Sequence, residues 1–141
     1  MSDELISLSY DVDGEDFVSC GRASEEVKKT LHSIGIPADV IRKVAIAMYE
    51  GEINMVIHAN GGVAKVQIYA DKIVVKLIDT GKGIADIDQA MQEGFSTATD
   101  EIRELGFGAG MGLPNMKKYS DNMLIESEVG KGTTVTLEFN L

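Results

Sequence analysis

The chain has 141 residues, of which 44% are hydrophobic and 26% charged, so it can bury a core and is expected to form one domain over residues 1–141. Its formal net charge of −10 disfavours direct nucleic-acid binding, because no basic surface is available to neutralise a phosphate backbone. The lack of a long apolar segment, of a secretory signal pattern and of any cysteine besides Cys20 predicts a cytoplasmic protein with no membrane binding and no internal disulfide.

The first half of the sequence predicts one strand and two helices. Imperfect alternation of apolar residues predicts an edge strand over residues 5–12. Apolar residues that recur every three or four positions from Phe17 predict an amphipathic helix ending at Gly35. A longer helix is expected to begin with Asp39 as its N-cap and to end at Asn60.

The second half predicts two hairpins on either side of a glycine-rich segment. Strands are expected at residues 63–70, 73–78, 123–128 and 134–141, a short helical turn at 84–91 and a helix at 113–120. The segment 94–112 has little hydrophobic periodicity, and a loop of that length in a small domain is usually functional or mobile. The element order predicts an α/β (α+β) two-layer sandwich, in which a mixed, mostly antiparallel sheet carries helices on one face.

A stripe of polar residues follows the second predicted helix. Glu50, Asn54 and His58 are each four positions apart, which places them along one side of an α-helix. The amide oxygen of Asn54 suits Mg²⁺, and Glu50 could hold a metal-bound water or accept a proton from an attacking hydroxyl. A solvated helix face is the alternative for these two residues, and Glu52 is expected at the rim. The core-facing residues of this helix are expected to be Ile41, Val44, Ala45, Met48, Met55 and Val56.

An aspartate follows the strand that is expected to be central. A buried carboxylate at Asp79 needs hydrogen-bond donors, and the exocyclic amine of adenine is one. Gly81 and Gly83 would let the adenine ring approach the backbone. The alternative is an ordinary Asp-x-Gly turn.

The glycine run at residues 106–112 leads into a predicted helix. Exposed amides at a helix N-terminus favour a phosphate site, and a flexible linker is the alternative. The chain has no G-x-x-x-x-G-K-[ST] motif, which excludes a P-loop. Charged residues at 100–105, instead of a buried strand, precede the glycines, which counts against a Rossmann turn.

Taken in order, the motifs E-x-x-x-N-x-x-x-H, D-x-G-x-G, G-x-G-x-G-L and G-T-T resemble the GHKL ATPase superfamily, whose members have the Bergerat fold. The resemblance covers residues 50–134. Residues 94–97 (GFST) and 126–134 (ESEVGKGTT) are similar to those of anti-sigma regulatory factors and switch kinases. These relatives are serine/threonine protein kinases of bacterial stress and sporulation pathways.

The resemblance implies a role for each matching residue. Glu50 would be the general base, and Asn54 would bind Mg²⁺. Asp79 would bind adenine, assisted by Gly83 and by the hydroxyl of Thr133. Residues 94–108 would form the ATP lid. The other implied nucleotide contacts, several of them backbone amides at the phosphates, are His58, Gly81, Ile84, Gly108, Gly110, Met111, Gly112 and Leu113.

Two positions depart from the pattern of that group. Anti-sigma members tend to have an arginine just before the last glycine pair, where this chain has Gly108-Ala109, and Arg103 is the nearest arginine in the sequence. Gly51 follows the implied base at a position where alanine or bulkier residues are common. A glycine there predicts a locally weaker helix.

The implied function is ATP- and Mg²⁺-dependent phosphorylation of a serine or threonine on a STAS-domain partner protein. A sigma factor or a phosphatase would be a further partner, and a homodimer is a further implied state. One alternative is a nucleotide-dependent binding module, an anti-sigma or switch factor with little kinase activity. Another is a detached ATPase domain of a sensor histidine kinase, which is disfavoured because His32 and His58 both lack the context of a dimerisation helix.

Overall fold

In the computed structural model, which describes residues 4–13, 21–59, 61–81 and 112–141, one antiparallel sheet carries helices on one face. The described elements follow the predicted order. Several sequence features lie outside the described residues, namely the predicted helical turn at 84–91, all but the last residue of the glycine-rich segment, Phe17 and Cys20. The elements are β1 (Glu4–Asp13), α1 (Arg22–Ser33), α2 (Ala38–Ala59), β2 (Gly61–Tyr69), β3 (Lys72–Ile78), α3 (Gly112–Tyr119), β4 (Asn122–Glu128) and β5 (Gly132–Asn140).

The described strands lie in the order β1-β2-β3-β5-β4, and each neighbouring pair is antiparallel. β1 is an edge strand, as the sequence predicted, and β3 is central. The two hairpins join through β3 and β5, whose register sets Ile78 opposite Thr134. This pairing brings the end of β3 to the start of β5, where two of the predicted site residues lie.

The core lies between the sheet and the helices. Alternate residues of each strand point towards the helices, because successive side chains of a strand face opposite sides. On β3 these inward residues are Ile73, Val75 and Leu77, all almost fully buried. They pack with Leu31 of α1 and Met116 of α3 in one hydrophobic cluster. The predicted α+β two-layer sandwich is therefore confirmed.

Helix α2 begins at Ala38, two residues earlier than an N-cap at Asp39 would place it. The backbone N–H groups of Val40 and Ile41 both donate to the carbonyl of Pro37 at 3.1 Å, so Asp39 lies in the first helical turn and is not the N-cap. Its carboxylate still faces the positive end of the helix dipole. Ala47 is buried where Ala45 was expected in the core. None of the described helices has both the length and the hydropathy of a membrane span.

Gly51 sets the distance between α2 and the sheet. A Cβ atom built on Gly51 would overlap Leu77 Cδ1 on β3 and lie 3.2 Å from Leu77 Cγ. Leu77 is itself buried and has little room to move. The glycine that weakens the helix intrinsically therefore allows α2 to lie directly against the central strand.

Candidate functional site

Glu50 and Asn54 lie one helical turn apart on α2, and both are half-buried. Their neighbours Met48 and Met55 point into the core, so the helical period turns Glu50 and Asn54 towards the boundary of the core rather than into it. His58 lies within α2, but its side chain is outside the described residues. A carboxylate and an amide oxygen on one side of a helix are a donor set that suits a Mg²⁺-bound triphosphate.

Asn115 of α3 contacts the proposed base. Its Nδ2 donates a hydrogen bond to Glu50 Oε1 at 3.3 Å, across 65 residues of sequence. α3 packs against α2 through the buried side chains Leu113 and Met116. Sequence reasoning missed Asn115. The local sequence predicts that α3 is a helix, but it does not predict which other helix the polar side of α3 contacts.

Asp79 joins the end of β3 to the start of β5. Its Oδ1 accepts the backbone N–H of Gly81 at 3.0 Å and that of Thr133 at 3.1 Å. Its own N–H donates to the carbonyl of Thr133 at 2.9 Å. The Asp-x-Gly turn that the sequence offered as an alternative is thus present. Within the part of the chain that the structure describes, both backbone hydrogen bonds to the Asp79 carboxylate go to Oδ1.

Thr133 is held by a small hydroxyl cluster. Its Oγ1 lies 2.8 Å from Ser127 Oγ on β4, and the Ser127 hydroxyl also donates to the carbonyl of Gly132 at 3.2 Å. Gly132 has φ +128°, and a Cβ atom there would overlap the carbonyl oxygen of Asp79. Only glycine fits this backbone, so the G-T-T motif holds Thr133 beside Asp79 for a steric reason. Ser127 and Gly132 were not predicted as site residues.

Helix α2 and Asp79 both lie next to Gly62 of β2. A Cβ atom built on Gly62 would lie 2.9 Å from Met55 Sδ and 3.2 Å from Asp79 Cα. Met55 directly follows Asn54 in α2. α2 and the aspartate that follows β3 therefore both approach Gly62, as a nucleotide spanning the two would require.

Glu52 is buried and does not lie at the rim as expected; only 2% of it is exposed. Its Oε1 accepts the N–H of Ser24 at 2.6 Å, and its Oε2 accepts those of Gly21 at 2.9 Å and Ala23 at 3.3 Å. Burial raises the pKa of the Glu52 carboxyl above its ordinary value of 4.5, and these hydrogen bonds only partly offset that effect. The side chain supplies acceptors to the N-terminus of α1, where free N–H groups need them.

Of the remaining residues that the sequence predicted to contact the nucleotide, some lie in the part of the chain that the structure describes and others lie outside it. Gly81 donates to Asp79, Gly112 is the first residue of α3, and Leu113 packs its side chain into the core. The predicted contacts that lie outside the described residues are Gly83, Ile84, Gly108, Gly110 and Met111, together with the predicted lid at 94–108.

The sequence profile of a family described as histidine kinase-, DNA gyrase B- and HSP90-like ATPase matches residues 40–141. An anti-sigma F factor from Caldanaerobacter subterraneus subsp. tengcongensis is 36% identical over 102 residues, which cover 69% of this chain and 68% of that protein. One from Clostridium botulinum is 34% identical over 111 residues, which cover 73% and 74%.

A solved structure has the same fold. The RsbU and RsbW domains of Rv1364c from Mycobacterium tuberculosis match with a TM-score of 0.65 at 18% identity. The match covers 95% of this chain and 32% of that one, so this chain spans about a third of the solved protein. At that level of identity the likeness shows a common fold alone.

Proposed function

Because this chain belongs to the histidine kinase-, DNA gyrase B- and HSP90-like ATPase family, we propose that it is an ATP-dependent serine/threonine protein kinase of the anti-sigma regulatory type. Its substrate would be a STAS-domain protein, and a sigma factor or a phosphatase would be a further partner. The names of the relatives support the regulatory role. The observation that supports the proposal most directly is that Met55, the residue after Asn54 in α2, and Asp79 both lie next to Gly62.

The base of the nucleotide would bind at the end of β3. Both hydrogen bonds that Asp79 accepts from described backbone groups go to Oδ1, and Oδ2 would be the oxygen that accepts a hydrogen bond from the base. The exocyclic amine of adenine donates two hydrogen bonds, whereas the corresponding oxygen of guanine only accepts them. A carboxylate therefore favours adenine at this position.

The phosphates would lie between α2 and the start of α3. Gly112 begins α3, and the first N–H groups of a helix favour anions. Asn54 would bind Mg²⁺ through its amide oxygen. When bound, Mg²⁺ would neutralise phosphate charge, which a chain of net charge −10 needs there.

Glu50 would act as the general base. The substrate hydroxyl oxygen attacks the γ-phosphorus and forms the new P–O bond as the bond between the γ-phosphorus and the β,γ-bridging oxygen breaks. The hydroxyl proton passes to a carboxylate oxygen of Glu50, and ADP leaves with the electron pair of the broken bond. The chain contributes mainly by positioning and proton transfer.

Transfer from radiolabelled ATP to the STAS-domain proteins of the same genome tests this proposal. We expect one of them to be labelled, and Glu50→Gln to lower the rate by at least about 100-fold, since general-base catalysis contributes that much. Lys117→Ala, an exposed change on α3, is the control and should transfer normally. Equal labelling by wild type and Glu50→Gln would contradict the role of Glu50.

Thermal unfolding with ADP, ATP and Mg²⁺ tests the nucleotide site without a partner. A ligand at one hundred times its Kd adds about 2.7 kcal/mol to the free energy of unfolding, which is a clear shift in Tm. Glu50→Gln should keep that shift because Glu50 acts on the hydroxyl. A chain that no purine nucleotide stabilises would not be an ATP-binding protein.

A binding module that responds to nucleotide with little phosphoryl transfer is the second candidate. The sequence favours it at one point, since Gly108-Ala109 stands where anti-sigma members tend to have an arginine. This candidate predicts a Tm shift with Mg-ADP, nucleotide-dependent capture of a sigma factor, and no labelled product with any STAS-domain protein.

A further inference from the structure

The hydrogen bond between Asn115 and Glu50 has no part in the function proposed so far. Asn115 is half-buried on α3, three residues after Gly112. Its neighbours Leu113 and Met116 are 8% and 1% exposed, so packing into the core holds this turn of α3 against α2. The side-chain amide is therefore presented to Glu50 by a fixed element and not by a loose surface helix.

The chemistry of the two groups decides what the contact does. The Nδ2 group of asparagine can only donate, so Glu50 Oε1 accepts. A carboxylate has two oxygens, and a donor on Oε1 leaves Oε2 to take a proton. A hydrogen bond to an ionised acceptor is about twice as strong as one between neutral groups, and it restricts the rotation of the flexible Glu50 side chain.

We infer that Asn115 is the positioning residue of the Glu50 base: it holds Oε1 and thereby directs Oε2 towards the substrate hydroxyl. The inference rests on the proposed kinase function. It adds that the orientation of the base on α2 depends on α3, the helix that begins at the implied phosphate contact Gly112.

Asn115→Asp separates this role from a packing role. Aspartate has the same shape as asparagine but replaces the donor with an acceptor and sets two carboxylates together. We expect kcat for transfer from Mg-ATP to the labelled STAS-domain protein to fall by about tenfold or more, because a lost hydrogen bond to a charged group has an effect of that size. The KM for ATP and the Kd for ADP should stay within about twofold, because the positioning role acts on the base through Glu50 and leaves nucleotide binding unchanged.

Three further variants complete the test. Asn115→Ala should lower kcat less than Asn115→Asp, and Asn115→Gln, which keeps a donor on a longer side chain, should recover part of the loss. Lys117→Ala on the exposed side of α3 should leave kcat unchanged. In a Glu50→Gln background, Asn115→Ala should have no further effect on the residual rate, since there is no base left to position.

The outcomes distinguish the two proposals. If wild type labels a partner and Asn115→Asp labels it equally fast, the positioning role is wrong and the kinase function stands. The positioning role is also wrong if Asn115→Ala lowers the residual rate in the Glu50→Gln background as much as it does in wild type. If wild type labels no partner, the kinase function fails and the positioning role fails with it.

Discussion

At the scale of single residues, Asp79 combines a structural and a proposed ligand-binding role in one carboxylate. Oδ1 joins two segments that are 54 residues apart in sequence through the N–H groups of Gly81 and Thr133. These contacts orient the side chain before any ligand arrives. A pre-oriented acceptor loses less conformational entropy on binding than a mobile one.

Asp79→Asn should weaken nucleotide binding and keep the fold. The amide retains Oδ1 as the acceptor for Gly81 and Thr133. Its NH₂ group, however, is a donor and would lie opposite the amine of adenine, which is also a donor, so the hydrogen bond to adenine would be lost. We expect the Kd for ADP, measured by titration calorimetry, to rise about 10- to 100-fold, which corresponds to the loss of one buried hydrogen bond. Asp71→Asn, in the exposed turn between β2 and β3, is the matched control. Unchanged affinity in Asp79→Asn would remove Asp79 from the site.

At the scale of elements, three consecutive residues of α2 contact three different neighbours. Glu50 meets α3 through Asn115, Gly51 lies against Leu77 of β3, and Glu52 accepts hydrogen bonds from the start of α1. Successive residues of a helix are about 100° apart around its axis, so three in a row span more than half of the circumference. α2 is thus the element against which the other described helices and the central strand are placed.

Gly51→Ala tests this close packing. Alanine improves helix propensity by about 1 kcal/mol, but overpacking a core costs about 1–3 kcal/mol, so we expect a net loss of about 1 kcal/mol in the free energy of unfolding. Urea denaturation measures it. Leu77→Ala in the same chain should relieve the overlap, so the double variant should be more stable than the two single effects added together predict. A Gly51→Ala protein more stable than wild type would show that α2 and β3 are not in tight contact.

At the scale of the whole molecule, stability should depend on pH through the buried Glu52. Burial raises the pKa of the Glu52 carboxyl in the folded state above 4.5, its value in the unfolded chain. Between those two pKa values, the folded protein therefore binds more protons than the unfolded chain does. Stability therefore falls as pH rises from about 4.5 through the raised pKa, because the unfolded state releases its proton first. Below that window the contribution of Glu52 is fully present.

Glu52→Gln should remove this part of the pH dependence. The difference in free energy of unfolding between wild type and Glu52→Gln should be largest below pH 4.5 and shrink as pH rises through the window. Urea denaturation at a series of pH values measures it. Glu25→Gln, an exposed change on α1, is the control and should keep the fall in stability through this window. A constant difference across the window would show that the pKa of Glu52 is not raised by folding.

Several features follow from the sequence alone because they depend on local periodicity. Imperfect alternation of apolar residues predicted β1, strand-like runs on either side of short turns predicted the two hairpins, and the three-to-four-residue repeat predicted α1 and α2. The order of motifs also indicated the ATPase family, which the family profile confirms. The catalytic and binding roles of Glu50, Asn54, Asp79 and Thr133 stay predictions.

Only the tertiary structure decided which elements face one another. The helical period put Glu50 and Glu52 on different sides of α2, but it could not say that α1 would bury one and α3 would contact the other. Strand alternation likewise could not say that β3 pairs with β5, which sets Asp79 beside Thr133. Periodicity is a property of neighbouring residues, whereas these contacts join residues 28 to 65 positions apart and depend on how the whole core packs.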